Sequence, residues 1–143
     1  MILVIDTNRI IAALIKDSTS RYIILSDKIE FVSIHFGTNE VNKYKNEIIE
    51  KAGITEADFE NILQKLFTRI KMLNDSLVQK TMPEAKNIMD HIDPDDTPFI
   101  AAALACNVEI WSDDEHFQQQ KRIKAWKTKD IINYLNMKNT GYE

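Results

Sequence analysis

The stretch ILVIDTN at residues 2–8 places four consecutive apolar residues directly before an aspartate. A short, wholly apolar run predicts a strand that is buried on both faces of a sheet. Asp6 ends this strand, and Thr7 is positioned to cap a following helix. In that helix, apolar residues recur at helical spacing at Ile10, Ile11, Leu14 and Ile15. The segment therefore predicts the first strand and helix of an α/β domain.

The same alternation continues along the chain. Further strands are predicted at residues 31–34, 70–73, 108–111 and 123–126. Helices are predicted at residues 22–29, at 36–52 with Gly53 as the stop, at 55–66 with a capping box, at 83–92 from Pro83, at 97–106 and at 128–137. We expect one three-layer α/β/α domain at residues 1–137, around a central, mostly parallel sheet. Residues 138–143 are expected to form a flexible tail.

Composition excludes several classes of protein. The 143 residues suit a single domain, and 44% hydrophobic with 28% charged residues is a globular balance rather than a disordered one. No apolar run approaches the roughly 20 residues of a membrane span, and the acidic start is unlike a signal peptide. Cys106 is the only cysteine, which excludes an intramolecular disulfide and a thiolate zinc cluster. We expect a cytoplasmic protein without membrane contact.

Four acidic residues fall where strands end or helices begin. Asp6 and Asp114 follow predicted strands, Glu40 lies early in the helix after the second strand, and Asp96 precedes the helix at 97–106. Each acid alone is equally compatible with a capping, turn or solvated position. Together they favour a shared site, because the carboxyl ends of parallel strands meet at one edge of a sheet.

Such a cluster needs a compensating positive charge. Two carboxylates about 4 Å apart repel by roughly 4 kcal/mol at an effective dielectric near 20. Protons or a divalent cation can relieve this repulsion, and oxygen ligands favour Mg²⁺ or Mn²⁺. An ion of this kind activates water and stabilises charge on a scissile phosphate. The pattern therefore indicates phosphodiester chemistry.

The ordered set VIDTN, Glu40, DPDDTPFIAAALA and IWSDDEHF resembles the PIN domain family across residues 1 to about 135. The resemblance implies a metal-dependent ribonuclease with Asp6, Glu40, Asp96 and Asp114 as catalytic and metal-binding residues. It also implies Asn8 and Ser112 as supporting residues. Many small family members are toxins of toxin–antitoxin pairs and form homodimers. RNA, an antitoxin protein and a second copy are thus the implied partners.

The sequence departs from the family pattern in three respects. Proline, common shortly before the helix glutamate, is missing from residues 33–37, and His116 stands where an acid is common. Asp95 and Asp113 are adjacent acids that can exchange roles with their neighbours. We expect a loop position for His116, and contact with substrate is the alternative.

The net charge of −4 requires a local basic surface for RNA. Candidates are Lys43 and Lys45 near Glu40, and the segment with Lys121, Arg122, Lys124, Lys127 and Lys129. Lysines that guard a sheet edge are the alternative for that segment.

Two other functions remain open. One is a phosphatase similar to haloacid dehalogenases, which Asn8 disfavours because that chemistry uses a second aspartate there. The other is a PIN-like module that binds nucleic acid or protein without cleavage. The stripe of Phe59, Ile62, Leu63 and Leu66 is either core or a surface for a partner.

Overall fold

The computed structural model describes residues 1–16 and 18–139, and its strands form one five-stranded sheet. The strands are β1 (Ile2–Ile5), β2 (Glu30–Ser33), β3 (Ile70–Met72), β4 (Glu109–Trp111) and β5 (Ala125–Trp126). The first helices are α1 (Thr7–Ile15), α2 (Thr19–Leu25), α3 (His35–Lys43), α4 (Lys45–Ala52) and α5 (Glu56–Phe67). They are followed by α6 (Asp75–Met89), α7 (Thr97–Cys106), α8 (Glu115–Gln118) and α9 (Thr128–Asn139). A short 3₁₀ turn, Pro94–Asp96, precedes α7.

The sheet has the order β3-β2-β1-β4-β5, and every neighbouring pair is parallel. Successive residues of β1 point to opposite faces: Leu3 and Ile5 join one hydrophobic core and Val4 joins the other. Residues of α1, α2, α5 and α9 fill the first core, and residues of α6 and α7 fill the second. The predicted α/β fold with a parallel central sheet, covered on both faces, is confirmed.

The helix predicted at residues 36–52 is two helices. It begins at His35, breaks at Tyr44, and resumes as α4, which ends at Gly53 with a φ of 66°. The predicted stripe on α5 faces the core: Phe59 and Leu66 are buried, and Ile62 and Leu63 pack against them. This arrangement leaves the stripe unavailable as a partner surface.

The prediction that Pro83 starts a helix is wrong. Helix α6 begins at Asp75, where Asn74 Oδ1 accepts a hydrogen bond from the Ser76 amide at 2.9 Å, so Pro83 lies inside the helix. Proline within a helix removes one backbone hydrogen bond and crowds the preceding turn. The side chains of Val78, Ala85 and Met89 are buried on either side of it. Tertiary packing therefore outweighs the local signal that the proline carries.

All strands run in one direction, so the carboxyl ends of β1, β2, β3 and β4 lie at the same edge of the sheet. Helices α1, α3, α6 and α8 each begin within a few residues of that edge. Within the described part of the chain, none of the helices combines the length and the apolar character needed to cross a membrane. Residues 140–143 of the predicted tail lie outside the described residues.

Candidate functional site

Asp6 lies at the carboxyl end of β1 and is only 4% exposed. Its backbone caps α1, and Oδ1 accepts a hydrogen bond from the Asn8 amide at 3.5 Å. Oδ2 accepts a shorter one, 2.7 Å, from the Ser112 hydroxyl. Burial is the main cause that raises the pKa of Asp6, and the charge of Asp114 raises it further. The fold thus holds a carboxylate in a place where its negative charge is poorly solvated.

Ser112 joins two of the predicted acids. Its hydroxyl donates to Asp6 and accepts a hydrogen bond from the Asp114 amide at 3.0 Å. Asp114 in turn begins α8, where its Oδ1 accepts from the His116 amide at 2.9 Å. The end of β4 is therefore tied to the end of β1. Ser112 therefore contacts two of the candidate acids, whereas Asn8 contributes its backbone amide and its side chain is exposed.

Glu40 reaches the same region from α3. Its Oε1 accepts a hydrogen bond from Thr7 Oγ1 at 2.9 Å, and Thr7 is itself buried. Burial raises the pKa of Glu40, and the charges of Asp6 and Asp95 raise it further. Thr7 was expected only to cap a helix, and no feature of the sequence beyond its place next to Asp6 indicates that it holds Glu40.

Gly37 allows α3 to approach the start of α1 and the end of β2 closely. A Cβ at this position would lie 3.0 Å from Thr7 Oγ1 and 3.3 Å from Ser33 Oγ. The glycine lies three residues before Glu40, on the side of α3 that faces the sheet. The missing side chain thus sets how near Glu40 comes to Thr7.

Asp96 precedes α7 but makes no side-chain cap hydrogen bond to it. Burial and the charges of Asp93, Asp114 and Asp6, in that order, raise its pKa to about 7. Asp96 Oδ2 and Asp114 Oδ1 lie 3.2 and 3.4 Å from the same atom, Nδ1 of His116, so the DPDD turn and the residues after β4 come together. The 3₁₀ turn is capped by Asp93, which accepts a hydrogen bond from the Asp95 amide at 3.0 Å. The carboxylate of Asp96 is therefore not used as a helix cap.

His116 belongs to the cluster, contrary to its expected place in a loop. Its Nδ1 lies 3.1 Å from Asp93 Oδ2, 3.2 Å from Asp96 Oδ2 and 3.4 Å from Asp114 Oδ1. The charge of Asp114 is the main cause that raises the pKa of His116. Asp93 and His116 were both missed from sequence, because their meeting depends on how the DPDD turn packs against α8. The one available signal was that His116 stands where the family often has an acid.

Asp113 and Asp95, the acids next to Asp114 and Asp96 in sequence, have different surroundings from these two neighbours. Asp113 accepts hydrogen bonds from the Thr128 amide at 2.7 Å and hydroxyl at 2.6 Å, and it pairs with Arg9 at 2.9 Å. It thereby fastens the start of α9. Asp95 is exposed and acts on Glu40 through its charge.

The structure does not bring the basic segment after α8 to the acids. Arg122 and Lys124 line a cavity with Ile2, Asn107 and Glu109, which mark the amino ends of β1 and β4. This is the sheet edge opposite the acids. Arg122 also pairs with Glu84 at 2.7 Å, and the exposed Lys121 precedes it in the chain. Lys127 is the exception, since it pairs with Glu115 of α8 at 3.2 Å.

Other cations lie nearer the site. The charge of Lys43 lowers the pKa of Glu40, and the charge of Arg9 lowers that of Asp6. Lys45 is instead paired with Glu56 and Glu60 on α5 at 2.8 and 2.7 Å. The positive charge near the acids is thus smaller than the negative charge of the acids themselves.

The donor set fits a divalent cation. Donor atoms of Asp93, Asp96 and His116 lie within 4.8 Å of one another, and Asp6, Glu40 and Asp114 add carboxylates linked to them by mutual charge effects. Carboxylate oxygens with one imidazole suit hard and borderline divalent ions. The raised carboxyl pKa values reflect burial and a shortage of positive charge at this edge.

The structure thus belongs to the class of parallel α/β domains with carboxylates gathered at the carboxyl edge of the sheet. Within that class, the PIN domain family model matches residues 4–136. The chain belongs to the PIN domain family. Among solved structures it is similar to a chain in the crystal structure of VapBC2 from Rickettsia felis bound to a DNA fragment from their promoter. That match has 15% identity and a TM-score of 0.69, and it covers 89% of this chain and 98% of that chain. No curated protein sequence matches the chain.

Proposed function

We propose that this protein is a divalent-metal-dependent ribonuclease whose site is formed by Asp6, Glu40, Asp96 and Asp114. The observation that carries the proposal is the meeting of side chains from distant segments: donor atoms of Asp93, Asp96 and His116 lie within 4.8 Å of one another, and the Ser112 hydroxyl links Asp6 to Asp114. Burial and the charges of Asp93, Asp114 and Asp6 raise the pKa of Asp96 to about 7, in keeping with this arrangement. Acids that served only as helix caps would have no reason to meet from three distant segments of the chain. Membership of the PIN domain family supports the same reaction class.

Three of the four proposed ligands are held in place by neighbouring groups. Ser112 orients Asp6, Thr7 orients Glu40, and the amide of His116 orients Asp114. Mg²⁺ or Mn²⁺ bound by these carboxylates supplies Lewis acidity toward water and toward the scissile phosphate. The chain provides acceptors at fixed positions, and no side chain is needed as a nucleophile. Lys43, beside Glu40, is the candidate for contact with the phosphates of RNA.

The test is cleavage of single-stranded RNA by the purified chain with Mg²⁺, with Mn²⁺ or with EDTA. We expect cleavage only with the metals, and a loss of at least about 100-fold in Asp6→Asn and Asp96→Asn. Asp27→Asn makes the same chemical change at the opposite sheet edge and should keep full activity. Full activity in either site variant would contradict the assignment. RNA binding without cleavage would favour the inactive binding module instead.

We further propose that the chain is the toxin of a toxin–antitoxin pair and forms a homodimer. The family and the similar fold in the VapBC2 structure support this proposal. Expression of the unmodified chain, but not of Asp6→Asn, should arrest growth, and a small protein encoded beside it should relieve the arrest. Unimpaired growth would remove the toxin proposal and leave the nuclease proposal standing.

A further inference from the structure

A small pocket adjoins the acids at the carboxyl edge of the sheet. It has a volume of about 210 Å³, with apolar walls from Phe36, Val78, Met82 and Pro98. Asp75 and Gln79 add polar groups to its lining. Ligand pockets for drug-sized molecules are larger, from about 300 Å³ upward, so this pocket suits a single ring system.

Two elements carry both a residue of the pocket and a proposed ligand of the candidate site. Phe36 lies four residues before Glu40 on α3, so the two side chains are neighbours on one helix face, about 5–6 Å apart at Cβ. Pro98 lies two residues after Asp96, in the first turn of α7. The pocket therefore lies beside two of the proposed ligands, Glu40 and Asp96.

Phe36 presents an aromatic surface that is held in place. The residue is 38% exposed, and its ring packs edge-on against the buried Phe99, with centroids 6.1 Å apart and planes at 70°. Phe99 packs in the same manner against Phe117, which is also buried. A partly exposed ring with a buried support is suited to stack on another flat ring.

We propose that this pocket receives one nucleobase of single-stranded RNA, from a nucleotide next to the phosphodiester that is cut. This inference rests on the proposed ribonuclease function. The nearby cations are few, so charge alone holds a polyanion poorly at this edge. Stacking on an aromatic ring does not depend on charge, and it is the common way in which single-stranded nucleic acids are bound.

The polar groups of the pocket indicate a preference among bases. The side chains of Asp75 and Gln79 have no hydrogen-bond partner among the described residues. A carboxylate accepts from an exocyclic amino group, and a glutamine amide pairs with the amino edge of adenine. The pocket therefore favours a base that carries an amino group over uracil.

The test is a double-mutant cycle between Phe36 and the RNA. Single-stranded RNAs carrying one abasic nucleotide at each position in turn are cleaved in Mg²⁺, and KM and kcat are measured separately. With the unmodified chain, we expect one position next to the cut where the abasic nucleotide raises KM about 10-fold. In Phe36→Leu that penalty should disappear, and in Phe36→Tyr it should return. Uracil at this position should raise KM in the unmodified chain but not in the double variant Asp75→Ala/Gln79→Ala.

Tyr22→Leu is the matched control, because Tyr22 is a 61% exposed aromatic residue on α2 outside the pocket. In this variant, the abasic nucleotide should raise KM by the same factor as in the unmodified chain. If cleavage depends on metal but no abasic position has a KM penalty that changes in Phe36→Leu, the pocket proposal is wrong and the ribonuclease proposal is retained. Absence of cleavage in every metal overturns the ribonuclease, and the pocket inference with it. Circular dichroism verifies that Phe36→Leu retains the fold.

Discussion

Thr7 and Ser112 each hold one carboxylate by a single hydroxyl, and both are buried. Thr7→Val keeps the shape of the side chain and removes the donor to Glu40 Oε1. We expect Mn²⁺ affinity to fall roughly 10-fold, since loss of a group that orients a ligand costs about 10–100-fold. Titration calorimetry measures this change.

Thr38→Val is the control for Thr7→Val, because the Thr38 hydroxyl donates to Met72 Sδ at 3.7 Å and, among the described residues, to none of the acids. Its Mn²⁺ affinity should match that of the unmodified chain. Equal affinities in all three proteins would show that Glu40 needs no fixed orientation.

Asp113 and Asp114 are adjacent in sequence but separate in role. Asp113→Ala removes the acceptor for the Thr128 amide and the partner of Arg9, so we expect the free energy of unfolding to fall by about 1–2 kcal/mol. Its Mn²⁺ affinity should stay unchanged. Asp114→Asn should do the reverse and weaken Mn²⁺ binding with little effect on stability. Urea unfolding and titration calorimetry measure stability and Mn²⁺ affinity in both variants. Weaker Mn²⁺ binding in Asp113→Ala together with lower stability in Asp114→Asn would contradict the assignment.

At the residue scale, the sequence positions of the acids relative to the strand ends could be used for prediction, because parallel strands bring their carboxyl ends together. This reasoning selected Asp6, Glu40, Asp96 and Asp114 as candidates, and their role in binding metal stays a prediction. Contacts of Thr7, Asp93 and His116 could not be predicted, because they depend on the angle at which α3 and the DPDD turn meet the sheet. A difference of one or two ångströms decides such contacts.

At the scale of elements, Pro83 shows how packing overrides a local signal. It is the ninth residue of α6, is exposed, and removes the hydrogen bond that residue 83 would donate to the carbonyl of Gln79. Pro83→Ala restores that donor in a helix whose two ends are already fixed. We expect the free energy of unfolding to rise by about 1–3 kcal/mol, measured by urea denaturation. A decrease would mean that the ring of Pro83 makes a contact worth more than the lost hydrogen bond.

The strands and most helices could be predicted as elements, since buried strands and capping signals are local features. The break at Tyr44 could not, because no glycine or proline marks it. Residues 45–52 read as a continuation of the preceding helix until α4 is seen to turn its buried Ile48 toward the first core.

At the scale of the molecule, the acids make stability depend on pH. In the metal-free protein, burial and neighbouring charges raise the pKa of Asp96 to about 7, so the folded state binds a proton that the unfolded chain has lost. The free energy of unfolding therefore falls as pH rises from about 4 to about 7, by at most about 4 kcal/mol from this group. His116 acts in the same direction, because its raised pKa gives stability that is lost at higher pH. In urea unfolding with EDTA, the free energy of unfolding should fall less with rising pH in Asp96→Asn than in the unmodified chain. An equal fall in both proteins would show that Asp96 is not the cause.

The most direct measurement is the gain in unfolding free energy that Mn²⁺ produces at neutral pH. At about 100 times its dissociation constant, a ligand bound only to the folded state adds about 2.7 kcal/mol. We predict a gain near this value in the unmodified chain and in Asp27→Asn, and almost none in Asp6→Asn and Asp96→Asn. Without metal, the two site variants should be at least as stable as the unmodified chain, since each loses a poorly compensated charge. Equal gains from Mn²⁺ in all four proteins would show that these carboxylates do not hold the ion.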